Sequence, residues 1–339
     1  MAGFGKTKEA NKAEEAAAAI EATPAIQRTD ADPFSALRKE YLLMDNMPQS
    51  HLFMGIAGHD NTGKTAIVTD AYRRWLEVWL AAPERTDEEL KNPPELWVLD
   101  FEGGGAANKS AFHSEIQSIR CWEPWVMMQG ERTSYNYPAT HARVMSIAQF
   151  ANDIAQKQRD PDYDGPRLWG FLVTGVDLWD SVCVNCMRIV DLNIAKDGIE
   201  AADWNKKVGH QWDWAIRKTR FHQLTGLCRS LVKAGVRVFW ETHLRLTNYS
   251  WGKAEDTNPT WRPDWEKASN NFVYQILICE RKDTKDDETG EVVRSEYTVT
   301  FEKSKTNAKL QGQKRTTLIT ESGQDPQWFG LPELYDGTL

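Results

Sequence analysis

The sequence predicts an α/β fold in which a mostly parallel sheet is flanked by helices and is followed by a C-terminal antiparallel hairpin. Three observations lead to this prediction. Short apolar runs alternate with segments of helical periodicity, glycines cluster where those runs end, and two long β-type runs near the C-terminus flank a polar turn. Strands that alternate with helices form parallel sheets, because each connecting helix packs back onto a face of the sheet.

The composition excludes several classes of protein. The 339 residues include 49 acidic and 41 basic side chains, which gives a formal net charge of −8, and 41% of the residues are hydrophobic. That apolar fraction is enough for a large buried core, so a chain disordered throughout is excluded. Because the net charge is negative, any contact with nucleic acid has to come from a local basic patch.

Neither a membrane span nor a secretory leader is predicted. No run of 18 apolar residues occurs, and the first 25 residues contain no apolar segment typical of a signal peptide. Five cysteines in a chain of this length are typical of reduced thiols, so we expect a cytoplasmic protein. Cys183 and Cys186 lack a second pair at zinc-binding spacing and are expected on one face of a helix.

Three segments are predicted along the chain. Residues 1–32 are rich in Ala, Glu, Lys and Thr and contain few large apolar side chains, so a flexible tail is expected. Residues 33–322 are predicted to form the core domain, in which apolar runs begin at about Pro48. Residues 323–339 are expected to be a C-terminal extension.

The elements of the core follow from apolar patterning. Apolar runs that end in glycine or polar residues predict strands, and apolar residues at helical spacing predict helices. The predicted strands are 51–58, 96–105, 117–122, 168–177 and 235–243, and the predicted helices are 66–82, 139–159 and 208–233. The polar, proline-ended stretch 84–94 is expected to be a loop. Residues 271–282 and 291–303 flank the turn DTKDDETG and predict the hairpin.

A phosphate-binding loop is the most specific motif in the sequence. The run GHDNTGKT matches G-x-x-x-x-G-K-[ST], and it lies between a predicted strand and a predicted helix, as the motif requires. Its glycines let backbone N–H groups point at phosphate oxygens, and the helix N-terminus adds a positive dipole. Lys64 is expected to reach the β- and γ-phosphates and the Thr65 hydroxyl to ligate Mg²⁺. The predicted nucleotide-binding residues are Gly58, His59, Asp60, Asn61, Thr62, Gly63, Lys64, Thr65 and Ala66.

Two further strand ends carry polar side chains that suit nucleotide chemistry. Asp100 and Glu102 follow a predicted strand, where a carboxylate can polarise the water that attacks a γ-phosphate. Because they are two residues apart, one of them is expected to orient the other. The alternative is a charged strand end that faces solvent. His243 follows a later strand, where it is interpreted either as a nucleotide sensor or as a structural histidine.

The order of these motifs resembles the RecA-like P-loop ATPase core. The segments are GHDNTGKT, LDFEGG, FLVTGVDLW, VFWETHLR and a C-terminal hairpin with KSK, and they span about residues 48–320. The chain is most similar to compact phage-type members linked to single-strand annealing and recombination. The resemblance implies ATP and Mg²⁺ as ligands, single-stranded DNA as a partner and a homo-oligomeric ring or filament. It also implies the host cytoplasm if the source is viral.

The resemblance also implies roles for individual residues. Glu102 matches the catalytic glutamate of the family, and His243 matches the sensor that couples the γ-phosphate to the DNA loop. Lys303 and Lys305 fall where basic residues of one subunit reach the phosphate bound by its neighbour.

One position departs from the family pattern. Thr174 stands where the family has the Walker B aspartate, and it brings no charge to the Mg²⁺ shell. Asp177 lies three residues further on and is the predicted substitute ligand if the turn folds back. This departure implies nucleotide binding with slowed hydrolysis.

The stretch 246–270 is the predicted nucleic-acid surface. It interleaves aromatic rings that suit base stacking with cations that suit phosphates, a combination typical of single-strand binding. The predicted contact residues are Trp251, Lys253, Trp261, Arg262, Trp265 and Lys267. The alternative is a structural role, because the chain contains 15 Trp and the same stretch carries four acidic residues. A second cluster of cations comprises Lys206, Lys207, Arg217, Lys218 and Arg220. It follows FLVTGVD, where the resemblance implies the other DNA loop of the family, and a solvated helix face explains it equally well.

Two other functions stay open at this stage. A P-loop small-molecule kinase would carry an arginine-rich lid and an acceptor pocket, and no such lid is evident in the sequence. A non-hydrolysing, nucleotide-gated assembly or packaging component would bind ATP tightly without turnover, and Thr174 is the residue that favours it.

Overall fold

The computed structural model describes residues 52–129, 134–192, 211–246 and 261–335. The chain divides into two compact units, Met1–Met47 and Pro48–Leu339, and every described residue belongs to the second. The predicted tail at residues 1–32 lies outside the described residues. In the part of the chain that the structure describes, no helix is long and apolar enough to cross a bilayer.

A large mixed sheet organises the described ranges. The strands are β1 (Phe53–Gly58), β2 (Glu95–Asp100), β3 (Ile119–Trp122), β4 (Leu168–Thr174), β5 (Arg237–Thr242), β6 (Leu244–Leu246), β7 (Trp261–Pro263), β8 (Gln275–Lys285), β9 (Val292–Ser304), β10 (Lys314–Glu321) and β11 (Gln327–Trp328). All of them except β6 and β7 belong to one sheet, in the order β11-β10-β9-β8-β1-β5-β4-β2-β3. β6 and β7 pair antiparallel with each other.

The sheet is parallel from β3 to β8 and antiparallel from β8 to β11. This arrangement confirms the mostly parallel sheet and the C-terminal antiparallel hairpin, which is formed by β8 and β9. β10 and β11 extend that hairpin and were not predicted. The five predicted strands before the hairpin appear as β1 to β5, each shorter than the apolar run that predicted it.

Helices cover both faces of the sheet. They are α1 (Lys64–Leu80), α2 (Asp87–Lys91), α3 (Gly104–Phe112), α4 (Tyr137–Lys157), α5 (Val176–Cys186), α6 (Gln211–Lys233) and α7 (Ser269–Phe272), with a π-helical turn at Met187–Asp191 and a 3₁₀ turn at Pro332–Leu334. The expected loop at 84–94 contains α2, because Thr86 and Glu89 form a reciprocal capping box at its start. Cys183 and Cys186 lie buried on α5 as free thiols, which confirms their helical placement.

Two hydrophobic clusters pack against the sheet. One joins α4, α5 and α6 to strand residues such as Leu99, Val173 and Trp240. The other joins α1 to alternate strand residues such as Val98, Leu172 and Phe239. Successive side chains of a strand point to opposite faces, so this alternation places α1 on one face and α4–α6 on the other.

The C-terminal segment is part of the second cluster. Leu331 and Leu334 are buried there, and the Arg74 guanidinium on α1 donates a hydrogen bond of 2.9 Å to the carbonyl of Trp328. Arg74 is itself held by the buried carboxylate of Asp70 at 2.9 Å. The predicted extension therefore packs into the core along its described residues, up to Tyr335.

Candidate functional site

The predicted phosphate-binding loop lies between β1, which ends at Gly58, and α1, which begins at Lys64. Gly63 has a φ of +80° and Asn61 a φ of +57°, so two left-handed residues turn the backbone before the helix starts. The Thr62 hydroxyl donates to the carbonyl of His59 at 2.8 Å and closes the loop on itself. This conformation turns the chain directly from the strand into the helix N-terminus.

Lys64 is buried under the loop that it follows. Its ammonium group donates hydrogen bonds to the carbonyls of Gly58 at 3.2 Å and His59 at 3.1 Å. These bonds hold the cation at the C-terminal end of β1. An anion bound by the loop would therefore meet a positive charge that is already in place.

The carboxylate that contacts the loop comes from β5. The Thr65 hydroxyl donates a hydrogen bond of 2.8 Å to Oε2 of Glu241. The Glu241 side chain is completely buried, and its other oxygen, Oε1, has no hydrogen-bond partner among the described residues. Burial raises the pKa of Glu241 to about 8, against the opposing effects of the Thr65 hydrogen bond and the Lys64 charge.

Thr174, at the end of β4, is turned toward β2 and not toward the loop. Its buried hydroxyl donates to Oδ1 of Asp100 at 3.0 Å. The other oxygen of Asp100 accepts the backbone N–H of Ala106 at 2.9 Å, in the first turn of α3. Asp100 therefore caps a helix that the sequence did not predict.

Glu102 and His243 meet at the C-terminal edge of the sheet. Nδ1 of His243 lies 3.7 Å from a carboxylate oxygen of Glu102 and 3.0 Å from Oδ2 of Asp177, and its Nε2 lies 2.7 Å from Asp60 in the loop. Asp177 also accepts a hydrogen bond of 3.2 Å from the Thr242 hydroxyl. His243 thus connects the phosphate-binding loop to the residues that follow β2 and β4.

Burial and neighbouring charges alter the pKa values of Glu102 and His243. Partial burial raises the pKa of Glu102, whose side chain is 22% exposed, although His243 and Lys64 oppose that effect. Partial burial also disfavours the charged form of His243, but the hydrogen bond and charge of Asp177, together with Glu102, raise its pKa. Among the described residues, Glu102, Asp177 and His243 bring ligand atoms within 4.8 Å of one another. The contacts given above explain this proximity as a hydrogen-bonded cluster.

A cleft of about 740 Å³ opens in front of the loop. Its loop end is lined by residues of the motif, Glu102 and His243, and its other end by side chains of α3 and the antiparallel strands. That second end is lined by Ala107, Asn108, Ala111, Phe112, Arg281, Tyr297, Leu318 and Thr320. The cleft therefore combines a polar end and a partly apolar end, an arrangement that suits a phosphorylated ligand with an aromatic part.

Tyr297 on β9 lies directly against the phosphate-binding loop. A Cβ built on Gly63 would stand 3.1 Å from the Tyr297 ring, and the Arg281 guanidinium lies 5.6 Å from the centre of that ring. No base-contacting residue is identifiable from the sequence alone. Tyr297 is a site residue that no motif of the sequence indicates. Glu241 lies among the polar residues at the end of the strand before His243, but its contact with Thr65 is not predicted by the sequence.

Lys303 and Lys305 lie away from the loop, level with the middle and the amino end of β1. Lys303 pairs with Ile276, which pairs with Gly55, three residues before Gly58. At about 3.3 Å per strand residue, that separation is about 10 Å. Lys303 donates to the carbonyls of Val273 and Asn270, and Lys305 donates to that of Asn271 at 3.0 Å. Burial and the neighbouring Lys305 lower the pKa of Lys303 to about 8.

The described part of the predicted nucleic-acid surface divides into exposed and buried residues. Trp261, on β7, is 51% exposed, and its ring meets that of His59 edge to face at 4.6 Å. Trp265 is 3% exposed, packs against Trp240 and covers Gly55, so its faces are closed to a base. That prediction is corrected: Trp265 is a core residue.

The structure describes two of the remaining predicted nucleic-acid residues. Arg262 lies beside Trp261 on β7, in register with Arg245 of β6, and Lys267 follows the ribbon that these strands form. Trp251 and Lys253 lie outside the described residues. The β6–β7 ribbon starts directly after His243, and Trp261 on its second strand contacts His59.

The second cluster of cations is largely ion-paired. On α6, Arg217 contacts Asp180 and Glu266, Lys218 lies 3.8 Å from Glu266, and Arg220 lies 2.8 Å from Asp191. Lys206 and Lys207 lie outside the described ranges. These pairs favour the helix-face interpretation, but of the three described cations only Lys218 is well solvated, because the side chains of Arg217 and Arg220 are 12% and 19% exposed.

Comparisons with known proteins assign no family to the chain. No protein-family model matches the sequence, and no curated protein matches it.

Proposed function

We propose that this protein is a RecA-like P-loop ATPase that binds ATP with Mg²⁺, assembles into a homo-oligomer and acts on single-stranded DNA. The observation that carries the proposal is the cleft itself. A complete phosphate-binding motif at a strand–helix junction faces a half-buried glutamate, and a histidine connects the two. The order of these motifs along the chain, which resembles the RecA-like core, supports the same function.

The loop would hold the triphosphate of ATP. Backbone N–H groups around Gly63 and the N-terminus of α1 favour anionic oxygens, and Lys64 adds a buried cation beside them. Mg²⁺ fits the oxygen donors that meet at Thr65, since hydroxyl and carboxylate oxygens are ligands that it prefers. When bound, Mg²⁺ would supply charge neutralisation for the transferring phosphoryl group.

Glu102 is the proposed general base. Its raised pKa brings the carboxylate closer to the working pH, which favours proton abstraction from the attacking water. The water oxygen bonds to the γ-phosphorus, the bond from that phosphorus to the β–γ bridging oxygen breaks, and the water proton passes to Glu102. The products are ADP and inorganic phosphate. His243 would orient Glu102 through the contact of 3.7 Å.

The coupling of ATP to DNA is proposed to run through His243. One side of its ring contacts Asp60 in the loop, and the next residues of the chain form β6. Trp261 on the paired strand β7 lies against His59 and has an exposed face for a base. Hydrolysis or loss of the γ-phosphate would therefore be transmitted from the loop through His243 to the β6–β7 ribbon, which begins at the next residue.

The test compares nucleotide binding and hydrolysis in the wild type, Lys64→Ala and Glu102→Gln, with Glu88→Gln as a matched control. Glu88 lies on α2 with a side chain that is 79% exposed. We expect ATP at a hundred times its Kd to stabilise the wild type by about 2.7 kcal/mol and to leave Lys64→Ala unshifted. Glu102→Gln is expected to bind ATP and to lose about 10²–10⁴-fold in turnover.

The DNA arm of the test adds single-stranded DNA to the same proteins. Stimulated turnover in the wild type and in Glu88→Gln, with none in Glu102→Gln, is the expected result. ATP-dependent DNA binding that persists in Lys64→Ala would contradict the proposal.

A non-hydrolysing, nucleotide-gated assembly component is the second candidate. Thr174 favours it, because the end of β4 presents a neutral hydroxyl that is engaged by Asp100. It predicts the same thermal shift with ATP and no turnover with or without DNA.

A further inference from the structure

The end of β4 cannot supply a carboxylate to a cation at the phosphate-binding loop. Thr174 is neutral and completely buried, and its hydroxyl donates to Asp100. Asp100 also accepts the backbone N–H of Ala106 in the first turn of α3, so each of its oxygens already has a donor. The charge that P-loop sites normally place beside the Mg²⁺ shell is therefore missing from this strand.

The neighbouring strand supplies a carboxylate at the place where β4 does not. β5 lies between β4 and β1, and Glu241 is paired in register with Ile56, two residues before the loop begins. From there the side chain reaches the Thr65 hydroxyl, at 2.8 Å. Glu241 thus contacts the hydroxyl that is the predicted Mg²⁺ ligand.

A second observation is that one oxygen of the buried Glu241 side chain lacks a partner in the described part of the chain. Its Oε1 is buried and has no hydrogen-bond partner among the described residues. An unpaired carboxylate oxygen in a buried position costs free energy unless a cation or a donor meets it. Lys64 is near enough to interact electrostatically, but its ammonium group donates to the carbonyls of Gly58 and His59.

We propose that Glu241 provides the carboxylate of the Mg²⁺ site and thereby takes over, from the adjacent strand, the role that Thr174 cannot fill. Thr65 and Glu241 would then hold the cation together, with nucleotide phosphates and water as the other ligands that Mg²⁺ retains. This inference rests on the proposed function, because it assumes that the loop binds a nucleoside triphosphate.

The experiment measures the Kd of a fluorescent ATP analogue in EDTA and again in saturating Mg²⁺. The proteins are the wild type, Glu241→Gln, Asp177→Asn and the exposed control Glu88→Gln. In the wild type and the control we expect Mg²⁺ to tighten binding. Glu241→Gln should lose about tenfold or more of that gain. In EDTA the same variant should bind as tightly as the wild type, because Glu241 then has no cation to hold.

The Asp177→Asn variant distinguishes between Asp177 and Glu241 as the source of the Mg²⁺ carboxylate. Asp177 was the substitute ligand expected from the sequence, and in the structure it contacts His243 and Thr242. A Mg²⁺ effect that disappears in Asp177→Asn and persists in Glu241→Gln would overturn the inference while leaving the proposed function intact. If the wild type bound no nucleotide in either condition, the proposed function would fail, and the inference with it.

Thermal melting checks that each variant folds. If Glu241→Gln did not fold, Glu241→Asp would take its place, since it keeps the charge and withdraws the carboxylate by one methylene. Its Mg²⁺-dependent gain is expected to fall below that of the wild type, and an undiminished gain would overturn the inference.

Discussion

Tyr297 is the side chain that would meet the base of ATP in the proposed function. The ring lies beside Gly63, and the Arg281 guanidinium lies over the ring. We expect this ring, which lines the cleft beside the predicted phosphate-binding loop, to stack on the base of a bound nucleotide. The Tyr297 hydroxyl is not required for such stacking, so the ring alone should account for the effect.

Tyr297→Ala is therefore expected to weaken ATP binding by about 1–3 kcal/mol, the usual value of stacking one base on an aromatic ring. Tyr297→Phe should bind ATP as the wild type does. Inorganic triphosphate, which has no base, should bind equally well to all three proteins. Titration calorimetry measures each affinity, and an equal loss for ATP and triphosphate in Tyr297→Ala would show that the ring supports the loop instead.

At the scale of elements, the close approach of the β7–α7 segment to β1 depends on a missing side chain. Gly55, in the middle of β1, lies under the indole of Trp265, and a Cβ at this position would overlap the ring. Trp265 is held from the other side by Trp240 and by a hydrogen bond of 2.8 Å from its Nε1 to Asn270. The indole therefore has little room to move.

Gly55→Ala is expected to destabilise the fold by about 1–3 kcal/mol, because the added methyl overpacks a rigid contact. Gly226 provides the matched control, since it lies on α6 with nothing within 4 Å of a built Cβ. Gly226→Ala should stabilise the protein by about 0.5–1 kcal/mol through helix propensity. Urea unfolding measures both values. A Gly55→Ala protein as stable as the wild type would mean that Trp265 can be displaced from β1.

At the scale of the whole molecule, the two ends of the parallel strands carry different parts of the proposed ATPase. The loop, Glu102 and His243 meet at the carboxyl end, whereas Lys303 and Lys305 lie level with the middle and the amino end of β1. The ammonium groups of those lysines donate to the carbonyls of Asn270, Asn271 and Val273 and to no residue of their own loop. In a head-to-tail assembly, the amino end of one subunit is able to face the carboxyl end of the next.

Mixed subunits test this arrangement. Lys305→Ala is expected to lose ATP hydrolysis without losing ATP affinity, because its own loop is intact. Lys64→Ala subunits bind no ATP but keep Lys305. In an equal random mixture, about one quarter of the sites would combine an intact loop with an intact neighbouring lysine and recover wild-type turnover. Mixtures that stay as inactive as either variant alone, with both proteins folded by thermal melting, would contradict a role between subunits.

The parallel core of the fold was predictable because its signals are local. Each apolar run ending in glycine became a strand, and the runs at helical spacing became α1, α4 and α6. The prediction of a loop failed at α2, where Thr86 and Glu89 form a capping box that stabilises a short polar helix. The sequence patterns also failed to indicate α3, which starts after the left-handed Gly103 and is capped by Asp100 from β2.

The sequence by itself determined the phosphate-binding loop, because all of its residues are consecutive and their spacing specifies the turn. It also indicated Glu102 and His243, since a polar residue after a buried strand predicts the functional edge of a parallel sheet. Only the tertiary structure decided which carboxylate meets Thr65. That choice depends on β5 lying between β4 and β1, an order that no local pattern encodes. The same is true of Tyr297, which reaches Gly63 because β8 pairs with β1 and β9 turns back along β8, more than 200 residues after the loop along the chain.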